Sequence, residues 1–418
     1  MAQNKKNKKP RLEDLIPDNE QREEIKKRLY RGDPIVGEDG VFTDMLQAFV
    51  NASLEGEMDD HLKKETNTPT EKKNRRNGYN NKQIKSRVGS FDIQTPRDRN
   101  GDYDPQMVKK WERELGSGMD DIILSLYARG QSVSDVQNQL RELYGVHVSA
   151  GTISSVTDRI WPEILEWQQR TLASCYPIVY LDAIHYKVRE DGRVVHKAIY
   201  SVYGITADGK RDILGLYLNE SEGSRQWGLI LEDLKRRGVT EIFFFCVDGL
   251  AGFKEVIEEV YPKAHVQRCI VHMVRSSTRF VPYNDIKGVC SDLRKIYTAA
   301  DRNQALTALE SFAAKWNKKY PEIKRKWEAS WEELMCFMDY GEHIRRIIYT
   351  TNPVEALHRI MRKVTKSKGA WNSDKALLKQ LYMTLMHNQK SWNKKAFNWK
   401  PIQRDLINQF GDRYEKYL

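Results

Sequence analysis

Apolar positions change their period several times along this chain, and each change predicts a different kind of structure. Residues 13–27 and 43–64 follow helical spacing, the second with Met45, Leu46, Phe49, Val50 and Leu54 on one stripe. From residue 66 to residue 99 the chain turns polar and basic. Lys72, Lys73, Arg75 and Arg76 precede Ile84, Val88, Phe91 and Ile93, which predicts a solvated linker and a small β hairpin.

Three short helical segments follow between residues 119 and 161, carried by Ile122, Ile123 and Leu126, then Val133, Val136 and Leu140, then Ile153, Val156 and Ile160. Ser132 with Asp135 predicts a capping box, Ser149 predicts a cap for the third segment, and the turn at 145–148 suits a helix-turn-helix. The third helix would then offer Thr152, Ser155 and Arg159 to a DNA groove. An ordinary small helical bundle is the competing reading of the same pattern.

Beyond residue 177 short apolar blocks alternate with turn dipeptides. Residues 178–188, 195–204 and 212–219 predict three strands with Asp191-Gly192 and Asp208-Gly209 at the turns; 225–237 predicts a helix and 241–247 a strand. A helix at 252–260 and a short strand at 264–267 complete an α/β pattern, a mixed sheet flanked by helices. From 286 to 340 the pattern is helical throughout, with Trp316, Trp327 and Trp331 as bulk. Another helix starts near Asn352-Pro353, one more spans 371–388, and a basic, aromatic tail closes the chain.

Composition sharpens this picture only in places. The chain has 418 residues, and 69 Lys and Arg against 58 Asp and Glu leave a formal net charge of +11, which favours a polyanionic partner such as nucleic acid. Residues 1–11 carry lysines with no apolar stretch behind them, and no apolar run approaches the roughly 18 residues of a membrane span. A cytoplasmic protein without membrane contact is therefore expected. The five cysteines are scattered, which argues against a disulfide framework.

Asp182 closes the apolar run 178–181 and Asp248 closes 242–247, so each carboxylate is predicted on or at the end of a buried strand. A buried charge must be protonated, paired or bound to metal. Two strand carboxylates joined by a third from a helix make a hard oxygen site suited to Mg²⁺ and phosphate oxygens. Taken singly, a strand-end Asp is as readily a turn or cap group. Glu355, at the third position after a cap at Asn352, has a capping-box reading of its own.

Three ordered blocks settle the matter as a resemblance. They are Tyr180-Leu181-Asp182-Ala183 with Lys187-Val188-Arg189; Cys246-Val247-Asp248-Gly249-Leu250 followed by Cys269-Ile270-Val271-His272 and Arg275-Ser276; and Tyr349-Thr350-Thr351-Asn352 with Glu355, Leu357 and 362–366. The chain resembles the mutator-type transposases of bacterial insertion sequences almost from end to end. The resemblance implies a ribonuclease-H-like core interrupted by an all-α insertion, preceded by a helical DNA-binding region. It also implies a catalytic, metal-binding triad at Asp182, Asp248 and Glu355 with Mg²⁺ or Mn²⁺, two ions.

On that reading the chain divides into residues 1–105 (helical segment, basic linker and hairpin), 106–173 (helix-turn-helix), 174–284 (first part of the core), 285–341 (insertion), 342–395 (last part of the core) and 396–418 (tail). Cys269 and His272 match a signature of the family whose chemical role is open; as zinc ligands they lack a second close-spaced pair. Arg362, Lys363 and Lys366 follow Glu355 and are candidate phosphate contacts, against a merely solvated helix face. The expected partner is double-stranded DNA, both the terminal inverted repeats of the element and its target, bound by a homodimer or larger assembly. A nuclease or resolvase-like enzyme on the same fold, and a DNA-binding regulator with structural carboxylates, are the alternatives.

Overall fold

The computed structural model describes residues 16 and 18–418 apart from 38, 67–73, 87, 114, 116–117, 221–222, 250–251, 350 and 367. The lysine-rich start, Lys72 and Lys73 of the linker, and Leu250 and Thr350 of the motif blocks lie outside the described residues. Contacts divide the chain into two compact units, Met1–Arg159 and Ile160–Leu418.

In the first unit, α1 (Asn19–Arg31) and α2 (Val41–Thr66) precede an antiparallel hairpin of β1 (Arg76–Ser86) and β2 (Gly89–Asp98). Ile84 pairs with Phe91, and these two with Ile93 pack on Val50 and Leu54 of α2. The hairpin extends well beyond the apolar residues that predict it, because pairing continues through polar positions, exposed on β1 but partly buried on β2, as far as Arg76 opposite Asp98. Arg76 is held by Glu55 and Asp59 of α2.

Three helices follow, α3 (Gly118–Ala128), α4 (Val133–Tyr144) and α5 (Ala150–Asp158). Both predicted caps form. Ser132 and Asp135 exchange the two bonds of a capping box, and the Ser149 hydroxyl accepts from the Thr152 N–H at 3.0 Å. Ile123, Val136, Leu140, Val146, Ile153 and Val156 make an aliphatic core for the three.

The second unit opens with α6 (Trp161–Gln169) and is built on a five-stranded mixed sheet. Its strands are β3 (Cys175–Glu190), β4 (Arg193–Ile205), β5 (Arg211–Asn219), β6 (Glu241–Val247) and β7 (His265–Arg268), in the order β5-β4-β3-β6-β7. The first three form an antiparallel meander, and β6 and β7 run parallel to their neighbours. The turn from β3 to β4 places Asp191 and Gly192 at φ 47° and 75°, both left-handed, as a two-residue hairpin turn of this twist requires. Helices α7 (Ser224–Arg236) and α8 (Phe253–Val260) cover one sheet face over Val179, Leu181, Tyr200 and Phe245.

The other face is covered by helices alone. α9 (Ile270–Thr278), α10 (Tyr283–Tyr297), α11 (Arg302–Trp316), α12 (Pro321–Ala329) and α13 (Trp331–Met335) lead into α14 (Glu342–Ile348), α15 (Asn352–Thr365), α16 (Asp374–His387), α17 (Gln389–Trp392), α18 (Trp399–Phe410) and α19 (Asp412–Glu415). Val354, Leu357 and Met361 of α15 share a core with Ile178, Tyr180, Ile184, Phe244 and Cys246 of the sheet. Among the described residues no helix is long and apolar enough to cross a membrane.

Candidate active site

Strand pairing places the first two carboxylates. β3 and β6 are parallel with Leu181 opposite Val247, so Asp182 and the residue after β6, Asp248, stand at the same level on adjacent strands. Side chains alternate across a strand. Tyr180 and Cys246 face the α15 side and Leu181 and Val247 the α7 side, which puts Asp182 on the α15 side, with Asp248 one step beyond Val247.

Asp182 lies within its strand, since β3 continues to Glu190 in unbroken pairing with β4. The residue is only 8% exposed. Asp248 leaves its strand through Gly249, whose φ of 97° is left-handed and would strain any side chain there, beside the Arg268 guanidinium. Burial lowers the pKa of Arg268, and the charges of Glu333 and Asp248 work against that.

Glu355 enters from the first turn of α15. The capping-box expectation fails there: Thr351 is the N-cap, Asn352 is already helical, and no side chain caps the end. The Glu355 carboxylate turns instead to α9, where Arg275 donates from Nη1 to Oε1 at 2.8 Å and from Nη2 to Oε2 at 3.4 Å. His272 Nε2 lies 3.2 Å from the same Oε1. Two cationic or donor groups outcompete a neutral backbone N–H for a carboxylate.

The Cys269-x-x-His272 pair occupies the turn that joins these parts. The Cys269 N–H donates to Val247 O at 2.7 Å, and the Ile270 N–H donates to Tyr349 O at 3.2 Å, so the start of α9 is tied to the strand before Asp248 and the segment before Glu355. Cys269 Sγ accepts from the Thr351 N–H at 3.4 Å and its hydroxyl at 3.3 Å. Burial opposes ionisation of the Cys269 thiol, but hydrogen bonds from His272 and Thr351 outweigh it and hold the thiol below its ordinary value. His272 is pushed up to about 9, first by its hydrogen bond with Cys269 against burial, then by the charges of Cys269, Asp182 and Asp248. One imidazole thus feels all three carboxylates.

The family model described as "Transposase, Mutator family" matches residues 20–395. The chain is 40% identical over 383 residues, 91% of its length and 95% of the relative's, to a protein of Rhizobium meliloti named transposase for insertion sequence element ISRM3. It is 39% identical, over 91% of its length and 95% of the relative's, to a protein of Sinorhizobium fredii named probable transposase for an ISRM3-like element. The chain belongs to the Mutator family of transposases. More distant relatives include the transposase for insertion sequence element IS256 of Staphylococcus aureus, 28% identical over 78% of this chain and 85% of that protein.

Elsewhere in the transposase the predicted DNA contacts are dispersed. Thr152 and Ser155 lie on α5, but Thr152 Oγ1 stands 2.8 Å from the capping Ser149 hydroxyl, and Arg159, at the end of α5, is paired with Asp120. Ser155 is exposed. Arg362, Lys363 and Lys366 are exposed on α15 and the residue that follows it, on the same element as Glu355.

Two features escape a reading of the sequence alone. His358, three residues after Glu355, is buried against Asp182, a polar residue inside the stripe Val354, Leu357, Met361 and Val364; that interruption is its only signal. In the first unit His61, Asp98 and Asp102 have ligand-type atoms all within 4.8 Å of one another, joining α2 to the end of β2. Burial raises the Asp98 carboxyl, but hydrogen bonds from Asp102, Asn74 and the Tyr103 N–H leave it below the usual range.

Proposed function

We propose that this transposase cuts and joins DNA at the ends of an insertion sequence, using divalent metal, Mg²⁺ or Mn²⁺, held by Asp182, Asp248 and Glu355 on a ribonuclease-H-like core. The observation that carries the reading is that Asp182 on β3 and Asp248, the residue that follows the parallel strand β6, stand level beneath the helix whose first turn carries Glu355. The donors fit the group: three carboxylates are the hard oxygen ligands that Mg²⁺ takes, and His272 and Arg275 now occupy Glu355 with positive charge. Asp182, Asp248 and Glu355 would hold two such ions, which when bound would supply activation of the attacking oxygen and charge stabilisation at the leaving one.

The chain's own groups have distinct tasks. Asp182 and Asp248 are fixed by the sheet, whereas Glu355 is carried on a helix and must exchange Arg275 for its ligand role. Arg275, 60% exposed, is then free to meet a phosphate, and Arg362, Lys363 and Lys366, exposed on α15 and just after it, offer further phosphate contacts. Water hydrolyses the phosphodiester at the element end, and the freed 3′ hydroxyl attacks a second phosphodiester by transesterification. No covalent protein intermediate is needed.

Residues 106–173 serve as the helix-turn-helix region that recognises the terminal inverted repeats, and the helices over 285–341 are the insertion between the second and third carboxylates. Two element ends must be held together, so the working form is a homodimer or larger on DNA. Incubation of a labelled element-end duplex with plasmid target tests the reading: Mg²⁺ should yield both a nicked end and a strand-transfer product, and EDTA should remove both. Cleavage without transfer would point to a nuclease instead, and binding without metal-dependent cleavage to a regulator.

A further inference from the structure

His358 is the least exposed imidazole near the site, at 1% relative exposure, and it sits between two side chains that are themselves buried. Its Nδ1 lies 3.3 Å from Asp182 Oδ2, and its Nε2 lies 3.0 Å from the hydroxyl of Ser201. Ser201 is the β4 partner directly opposite Asp182 in the sheet. The three groups therefore form a short chain from β4 through α15 to β3, closed from solvent.

We propose that His358 is a positioning residue for Asp182, seated between Ser201 and the carboxylate so that the contact of Nδ1 with Oδ2 fixes the carboxylate's orientation toward the metal. The inference rests on the reading of Asp182 as a metal-binding carboxylate. A carboxylate only accepts hydrogen bonds, so a protonated Nδ1 is the form of the imidazole that favours Asp182 as an ionised ligand. On its other side Nε2 is in hydrogen-bond contact with the Ser201 hydroxyl at 3.0 Å. The other carboxylate oxygen, Oδ1, accepts from the Ala183 N–H at 2.9 Å. Rotation of the carboxylate would break the Ala183 bond and the His358 contact in a buried place, where an unmade bond is costly.

The arrangement also couples the third carboxylate to the first. Glu355 and His358 are one helical turn apart on α15, so the element that brings the last metal ligand also carries the group that orients the first. Outer partners of this kind tune a metal site by holding its ligands rather than by touching the ion.

The test measures Mn²⁺ affinity by calorimetry on the full-length protein, together with the Mn²⁺ dependence of cleavage of an element-end duplex. His358→Ala should weaken Mn²⁺ binding by about 10- to 100-fold, as removal of such partners does elsewhere, while binding of the duplex stays at the parental level. His358→Asn, whose amide nitrogen can donate from near the Nδ1 position, should restore most of the affinity, and Ser201→Ala should lose less than His358→Ala in the same direction. If His358→Ala melts earlier yet binds Mn²⁺ like the parent, His358 is only structural and the proposal is overturned. Should His358→Ala not fold, the other two variants decide, and parental Mn²⁺ affinity in Ser201→Ala overturns it. Asp182→Asn in parallel separates the two readings: parental Mn²⁺ affinity there removes Asp182 from the site altogether, whereas its loss beside an unaffected His358→Ala removes only the role of His358.

Discussion

The three-helix segment at α3–α5 and the sheet face beneath α15 use their polar side chains in opposite ways. The helical segment buries an aliphatic core and leaves Ser155 outside it, with hydroxyls used for caps at Ser132 and Ser149. The sheet face does the reverse: Asp182, Ser201 and His358 are all buried, with His358 in contact with both others, beside the largest apolar cluster of the second unit. Exposed groups on a helix can adapt to a long polyanion, whereas a carboxylate that must hold an ion at a set place needs partners that keep it there. Substitutions in the two regions should therefore separate, the first changing binding and the second changing chemistry.

The largest effect is expected at Glu355. Glu355→Gln keeps the shape and removes the charge, and it should lower both cleavage and joining on the order of 10⁴-fold, the scale on which groups acting as a unit fail. Duplex binding by the same variant, followed by gel shift, should be unchanged; a parallel loss of binding would erase the distinction between the two regions. Next comes Leu140, fully buried among the three helices. Leu140→Ala should cost about 2–5 kcal/mol in urea unfolding and weaken recognition of the terminal repeat. Unchanged repeat binding in a destabilised variant would move recognition away from this segment.

Smaller effects sharpen the same contrast. Neutralising Arg362, Lys363 and Lys366 together should flatten the salt dependence of duplex binding by about 0.9 in log–log slope for each phosphate that these side chains neutralise in the parent. An unaltered slope would leave these residues as a solvated helix face. Smallest is Ser132→Ala, which removes one half of a formed capping box and should cost about 1 kcal/mol of stability with no effect on Mn²⁺ binding.

Much of the fold is legible in the residues because local rules and tertiary structure agree. The strand at 241–247 and the caps at Ser132 and Ser149 sit where the spacing predicts them, and the turn at Asp191-Gly192 has the left-handed geometry its residues favour. The hairpin of β1 and β2 is longer than its apolar spacing predicts because the outer half of β1 is polar and exposed and the outer half of β2 buries the polar Thr95 and Asp98, so apolar alternation carries no signal there. Glu355 resembles a capping group locally, yet its true partners, His272 and Arg275, are about 80 residues earlier in the chain, beyond the reach of any local rule. His358 is hidden for the same reason: its partners Asp182 and Ser201 come from two other strands. Geometry of this kind exists only once the sheet has formed.

The most direct test of the account compares the parent with Asp248→Ala on a labelled element-end duplex in Mg²⁺, with binding measured for both proteins. The account predicts that the variant binds the duplex as the parent does and forms neither the cleaved end nor the joined product. Cleavage by Asp248→Ala at the parental rate would contradict it and remove the second carboxylate from the chemistry.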